Sequence, residues 1–189
     1  MASVVALDFS RAGIRAVQID EAYTPRPRIS RFGNVAVPEG TIFDGEIVDT
    51  GRGVKAIKEL WKKSGFTTNR VAFGIGNRKV VVREATLPVL PKAQRKQSLR
   101  FAVEGQIPLD LDDAILDFLP LRDVGGGQQE GLLVATVKSG LETTVTAIED
   151  AGKQVDAVDF AGFSLLRVSP GAPGETRPSS TSARRAPSS

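Results

Sequence analysis

The sequence contains no cysteine and no histidine among its 189 residues. The absence of cysteine excludes disulfides, thiolate nucleophiles and cysteine-based zinc or iron–sulfur sites. The absence of histidine excludes a Ser-His-Asp triad and histidine metal sites. Any chemistry therefore has to use carboxylates, lysine and arginine, hydroxyl groups and backbone amides.

Aromatic residues are also scarce, at 6% of the chain, and the formal net charge is only +3. A protein that coats nucleic acid needs a basic face, and single-strand binders stack bases on aromatic side chains. The sequence has neither a large positive charge nor many aromatic side chains, so we expect no nucleic-acid partner. The sequence has neither an apolar run of about 18 residues nor a basic, apolar N-terminal signal, so the expected compartment is the cytoplasm.

What is present is a series of alternating and helical apolar patterns. In the first part they predict strands at 4–7, 14–19, 29–37 and 70–75, and a helix at 50–64. Residues 79–160 are predicted as an α+β unit in the order strand-helix-strand-strand-helix-strand, with helices near 91–107 and 139–151. After Val168 the chain becomes rich in Ser, Pro, Arg and Ala, and residues 169–189 are predicted to be disordered.

The turn Ser10-Arg-Ala-Gly13, between the first two predicted strands, is a candidate for phosphate binding. Asp8 ends the first of these strands, and small residues in such a turn let backbone amides approach a phosphate. Taken alone, the segment is interpreted more readily as an ordinary hairpin.

Two further motifs are interpreted as structural. Gly74-Ile-Gly76 follows a strand but lacks the third glycine of the dinucleotide fingerprint, which favours a strand end and a crossover between domains. The acidic residues between positions 110 and 117 lack the glycine and the terminal glutamate of a calcium loop, and are interpreted as solvated turn acids. These acids are Asp110, Asp112, Asp113 and Asp117.

A specific pattern of ten residues lies between Leu99 and Phe118: Arg100, Phe101, Glu104, Gln106, Ile107, Pro108, Leu109, Leu111, Asp117 and Phe118. This pattern resembles a signature of the PilM family, the actin-like proteins of type IV pilus assembly. Residues 34–49, 82–88, 132–138 and 151–159 also look like segments of the family, and the resemblance spans about residues 3–168.

The resemblance implies an α/β fold of the actin-like, FtsA type, of which this chain holds the first lobe and lacks the second. Residues 1–78, rejoined by 160–168, correspond to subdomain 1A. Residues 79–159 correspond to the inserted, SHS2-like subdomain 1C with its βαββαβ order. The short length leads us to expect a truncated product, such as the result of a frameshift.

The same resemblance implies a scaffold rather than an enzyme. Full-length family members bind ATP and Mg²⁺, but the second lobe carries the other phosphate loop and the adenosine pocket, so no cofactor is expected in this fragment. The implied partners are the N-terminal peptide of a PilN-like inner-membrane protein, held in a groove between 1A and 1C, and other pilus assembly proteins. The protein is expected on the cytoplasmic side of the membrane, which it reaches through its partners.

Two alternatives remain open, and both use the same fold. The chain is half of an actin-like ATPase that another chain completes, or it is an FtsA-like cell-division adaptor. The adaptor is disfavoured because residues 169–189 have no apolar stripe for a membrane helix.

Two sets of candidate site residues follow from the resemblance. A vestigial phosphate hairpin would use Asp8, Ser10, Gly13 and Arg15. The peptide groove would use Val71, Ile75, Arg78, Leu99 and Val103. Leu99 and Val103 also fit a purely structural role in the core, and no catalytic or metal-ligating residue is predicted.

Overall fold

The computed structural model describes residues 2–89, 98–101, 103 and 110–162. The chain divides into two compact units. The first unit is Met1–Asn77 together with the residues from Gly140 onward, and the second unit is Arg78–Ser139. Each unit has its own sheet and its own core.

The helices and strands follow the chain in this order. The strands are β1 (Val4–Ser10), β2 (Gly13–Asp20), β3 (Arg28–Ala36), β4 (Ile42–Phe43), β5 (Glu46–Ile47), β6 (Arg70–Ile75), β7 (Val81–Pro88), β8 (Ala114–Gly125), β9 (Gln128–Val137) and β10 (Gln154–Phe160). The helices are α1 (Thr50–Ser64) and α2 (Lys138–Asp150), and Leu111–Asp113 form a short 3-10 helix.

A five-stranded sheet in the order β10-β6-β1-β2-β3 forms the centre of the first unit. β1 pairs antiparallel with β2 and parallel with β6, and β10 pairs parallel with β6. Leu7 and Ile14 on one face of this sheet belong to the same buried cluster as Ile57 and Leu60 of α1 and Ile148 of α2. The alternation of buried and exposed residues in β1 and β2 therefore follows from burial of one sheet face by helices.

Helix α1 confirms the predicted helix, including both of its ends. The Asp49 side chain accepts a hydrogen bond from the backbone N–H of Arg52 at 2.9 Å, which caps the start of the helix. Gly65 has a φ of 64° and donates its N–H to the carbonyl oxygen of Trp61. A left-handed residue at this point is the usual glycine stop signal.

The second unit contains a three-stranded antiparallel sheet in the order β7-β9-β8. Among the described residues of this unit, six form its buried core: Leu87, Leu99, Val103, Phe118, Leu133 and Ala135. Residues 98–101 and 103 are helical. The rest of the helix predicted at 91–107 lies outside the described residues, as does the tail predicted to be disordered at 169–189.

The boundary of the second unit differs from the sequence prediction. Residues 79–159 were expected to form one inserted subdomain, but the second unit ends at Ser139, and α2 and β10 belong to the first unit. The physical reason is strand pairing, because β10 is hydrogen-bonded to β6 and Asp156 forms an ion pair with Arg70 across the two strands. The predicted βαββαβ order thus runs across two separate sheets.

The hairpin of β4 and β5 is a feature that the sequence analysis missed. Its strands are two residues long, too short to show a period. Asp44 and Gly45 both have positive φ, 50° and 80°, which is the geometry of a tight hairpin turn. The Asp-Gly dipeptide was therefore the signal that could have revealed it.

Candidate functional site

The hairpin of β1 and β2 holds the predicted phosphate-binding residues, and its strand register brings two of them together. Asp8 lies opposite Arg15. The Arg15 guanidinium donates to one oxygen of Asp8, Oδ2, from Nε at 2.9 Å and from Nη2 at 2.5 Å. Both side chains are largely exposed, at 60% and 72% of their surface. Solvent weakens such a pair, so it orients the Asp8 carboxylate more than it stabilises the fold.

The turn of this hairpin is also engaged within the protein. The Ser10 hydroxyl donates to the Gly13 carbonyl oxygen at 3.0 Å. Gly13 has a φ of 151°, and a Cβ atom at this residue would overlap the carbonyl oxygen of Val35 on β3. Glycine is therefore required by the close packing of β2 against β3, and no ligand is needed to explain it.

Arg11, which follows Ser10 in the turn, contacts the hairpin of β4 and β5. Its guanidinium lies 5.6 Å from the centre of the Phe43 ring in β4, within the range of a cation–π contact. The three polar side chains of the turn region, on Asp8, Ser10 and Arg11, each have a partner inside the first unit. These contacts account for the polar side chains of the turn region without a ligand.

A second polar cluster lies in the same unit, and the sequence analysis did not find it. Glu46 of β5 is 4% exposed, and its Oε1 accepts a hydrogen bond from Nδ2 of Asn77 at 2.7 Å. A Cβ atom on Gly140 would overlap the Glu46 carboxylate, so the first turn of α2 approaches this acid closely. The partial positive charge at a helix N-terminus favours a carboxylate there.

This cluster is completed by the bond from the Ile47 backbone N–H to Thr144 Oγ1 at 3.0 Å. The cluster as a whole joins three parts of the first unit: β5, α2 and the segment that follows β6. It therefore fixes the hairpin of β4 and β5 in this unit. Thr41, just before β4, is fully buried, and its hydroxyl oxygen has no hydrogen-bond partner among the described residues. The residues of the cluster are far apart in sequence, so no local pattern identified them.

The acidic residues near β8 take local roles. Asp110 accepts from the backbone N–H of Asp112 at 2.9 Å, and Asp112 forms an ion pair with Arg100. Asp117 accepts from the N–H of Phe118. Within the described residues, no group of three acids or other ligating side chains is positioned to hold a metal ion.

The glycines Gly74 and Gly76 lie at the end of β6. The Cβ positions of both face the Ala161 Cβ, at 3.5 and 3.1 Å. They therefore allow the residues after β10 to approach β6 closely, in line with the interpretation as a strand end.

The predicted groove residues differ greatly in exposure. Val71 is fully buried in the first core, and Leu99 and Val103 are 3% and 1% exposed in the second core. These three side chains pack inside the protein and are not accessible to a partner. For Leu99 and Val103 this agrees with the alternative prediction of a purely structural role in the core. Ile75 is half-buried and Arg78 is exposed, so the end of β6 and the residues after it keep accessible side chains.

Two solved structures resemble this fold. The "PilM-PilN type IV pilus biogenesis complex" matches with a TM-score of 0.75 and 20% identity, over 87% of this chain and 49% of that one. The cytoplasmic domain of EpsL, an inner membrane component of the type II secretion system of Vibrio cholerae, matches with a TM-score of 0.57 and 14% identity, over 91% of this chain and 61% of that one. The chain thus spans about half to three-fifths of the length of these proteins.

Both similarities concern the mixed α/β fold with its central sheet. No curated protein matches the chain significantly. No helix in the described ranges has the length and apolar character needed to cross a membrane.

The comparison of sequences identifies the family. A family model described as "Type IV pilus assembly protein PilM" matches residues 6–171, which is most of the chain. This range includes both units and the ten-residue pattern between Leu99 and Phe118. The chain therefore belongs to the PilM family of type IV pilus assembly proteins.

Proposed function

We propose that this protein is a scaffold of type IV pilus assembly that binds the N-terminal peptide of a PilN-like inner-membrane protein. The observation that carries the proposal is the similarity to a PilM-PilN complex at a TM-score of 0.75 over 87% of the chain. The family match over residues 6–171 supports the same pathway. On this proposal the protein acts at the cytoplasmic face of the membrane and reaches it through its partner.

We propose that the peptide contacts Ile75 at the end of β6, and that Arg78, three residues further along the chain, contributes to binding. Ile75 offers part of an apolar side chain, and Arg78 offers an exposed cation. An extended peptide uses such a combination of an apolar contact and a charged anchor beside a strand end. Val71 is buried in the core of the first unit, and Leu99 and Val103 are buried in the core of the second, so we propose no direct contact of these three residues with the peptide.

The proposal does not include ATP hydrolysis by this chain. The family has an actin-like ATPase fold, but Asp8, Ser10, Gly13 and Arg15 of the hairpin already make contacts within the protein. We therefore propose binding without catalysis. An ATPase completed by a separate second lobe is the competing function, and co-purification of this chain with a separate C-terminal lobe would favour it.

The test is a binding titration of the full chain with the N-terminal peptide of the PilN-like protein from the same organism. We expect saturable binding in the micromolar range. Arg78→Glu is expected to weaken it by about tenfold, or roughly 1.4 kcal/mol. Arg83→Glu is the matched control, because Arg83 is an exposed arginine on β7.

Absence of saturable peptide binding by a chain with a normal circular dichroism spectrum would contradict the scaffold proposal. Micromolar binding of ATP·Mg²⁺ by the same preparation would contradict the part of the proposal that leaves nucleotide binding out.

A further inference from the structure

Strand β3 forms one edge of the five-stranded sheet. It is nine residues long, and Pro27 and Pro38 lie just outside its two ends. Ile29 and Phe32 are 70% and 81% exposed, which is unusual for large apolar side chains on a strand. An edge strand also presents unpaired backbone N–H and C=O groups, so proteins usually shorten, cover or charge it.

The strand register places these two apolar side chains on the same face. Ile29 pairs with Ile19 and Phe32 pairs with Val17, and the irregularity at Ser30 between them shifts the alternation by one residue. Gly33, by contrast, faces Leu60 and Ser64 of α1. Ile29 and Phe32 therefore lie on the sheet face away from α1, next to the half-buried side chains of Val17 and Ile19.

The charge around this edge is mainly positive, although Asp20 and Glu21 lie beside Arg28 at one end of the strand. Residues 23–37 contain three arginines and no acid, and α1 contains five basic residues and one acid. Arg28 lies 3.7 Å from Glu21, whereas Arg31 forms no ion pair with a described carboxylate. Arg31 and Gly33 are two residues apart in the strand, with Phe32 between them, so they lie on the same face of the sheet. This is the face that the basic helix α1 covers. This edge is therefore apolar on one face and positively charged on the other.

We propose that β3 binds an extended acidic segment of a partner protein, which adds to the sheet as a sixth strand. Backbone hydrogen bonds along this edge, which pairs with no other described strand than β2, supply affinity, and alternate side chains supply specificity. The segment places apolar side chains beside Ile29 and Phe32 and carboxylates beside Arg28 and Arg31. A second copy of this chain fits poorly, because two β3 strands in antiparallel contact bring their arginines together.

This surface is separate from the residues proposed for the PilN-like peptide, so the two proposals fail independently. The probe is a synthetic nine-residue peptide that alternates glutamate and valine, added to the full ¹⁵N-labelled chain. We expect amide hydrogen exchange within residues 28–36 to slow by about tenfold at saturation, because edge amides become paired. A peptide with lysine in place of glutamate is expected to give no such protection.

Two variants place the interaction on this edge. Arg31→Glu is expected to weaken binding of the acidic peptide by about tenfold, since a like charge replaces an opposite one. Arg83→Glu is the matched control on β7, which is also an edge strand, and is expected to leave the affinity unchanged. Circular dichroism of each variant verifies that the fold is retained.

Several results would overturn the proposal. Protection outside β3, equal binding of the lysine peptide, or an Arg31→Glu protein that folds and binds normally would each do so. Dimerisation of the free chain in sedimentation, with protection of β3, would assign the edge to a second copy. Binding to phosphatidylglycerol vesicles without binding of the peptide would assign it to a lipid surface.

Discussion

The two units differ in how many of their described residues are buried in a core. The first unit covers one face of a five-stranded sheet with α1 and α2, and 20 buried residues form its cluster. The second unit has a three-stranded sheet, and its cluster contains six buried residues among those described. The outer half of β8, from Pro120 to Gly125, is exposed along its length.

This difference has an energetic consequence. Apolar burial is the main favourable contribution to folding, and small domains bury a smaller fraction of their surface than large ones. We therefore expect the first unit to hold most of the stability of the chain. The second unit, with fewer buried residues in the described part of the chain, is expected to respond less to the loss of any one of them.

The largest effect is expected for a cavity in the core of the first unit. Leu60 has no exposed surface and belongs to the large cluster, so Leu60→Ala should lower the free energy of unfolding by about 3–5 kcal/mol. Leu133 of the second unit is 2% exposed and provides the matched variant. Leu133→Ala is expected to cost about 2–3 kcal/mol, because a small cluster can relax around the cavity.

Urea denaturation followed by circular dichroism measures both values. A loss from Leu133→Ala that equals or exceeds the loss from Leu60→Ala would show that the second core is as tightly packed as the first. It would remove the energetic distinction between the units.

Local patterns predicted the elements of the first unit well. β1, β2 and α1 follow directly from alternation and helical spacing, and Gly152, at a φ of 77°, ends α2 as expected. The place of β10 in the five-stranded sheet could not be predicted from local patterns. Its pairing with β6 joins residues such as Gln154 and Arg70 that are distant in sequence, and periodicity carries no information on such contacts.

The candidate site shows the same limit. Asp8 and Arg15 lie seven residues apart in one hairpin, so the strand register was enough to bring them together. Glu46, Asn77 and Gly140 meet only after the chain has passed through α1, β6 and the whole second unit. Gly13 fits a phosphate turn as well as the close packing that it serves, so its residue type alone does not distinguish the two roles.

A smaller effect is expected at buried polar side chains, where the units again differ. Gln18 of the first unit is 1% exposed and makes three hydrogen bonds, two with Thr67 and one with Asp20, at 2.8 to 2.9 Å. Gln18→Leu should cost about 1–2 kcal/mol, because its partners lose their bonds. Gln129 of the second unit makes one long bond, to the Pro88 carbonyl oxygen at 3.4 Å.

Gln129→Leu is therefore expected to change the free energy of unfolding by less than about 0.5 kcal/mol. Urea denaturation of both variants gives the comparison. Equal losses would mean that the polar network of the first unit contributes nothing beyond the burial of a glutamine.

The smallest effect concerns the acid that this network holds. The hydrogen bond from Gln18, with smaller contributions from Ser3 and Ser30, lowers the pKa of Asp20 from 3.8 to about 2. Because the pKa in the folded state lies below the unfolded value, the ionised carboxylate adds stability above pH 3.8. This contribution declines as the pH falls through 3.8 and is gone below about pH 2.

NMR titration of the Asp20 carboxyl carbon measures this pKa, and Gln18→Leu tests its cause. We expect the variant to raise the pKa of Asp20 toward 3.8, because the first and largest hydrogen bond is lost. Asp20→Asn should flatten the dependence of stability on pH between 4 and 2. An unchanged pKa in folded Gln18→Leu would mean that Gln18 does not hold the carboxylate, and the polar network would then end at Thr67.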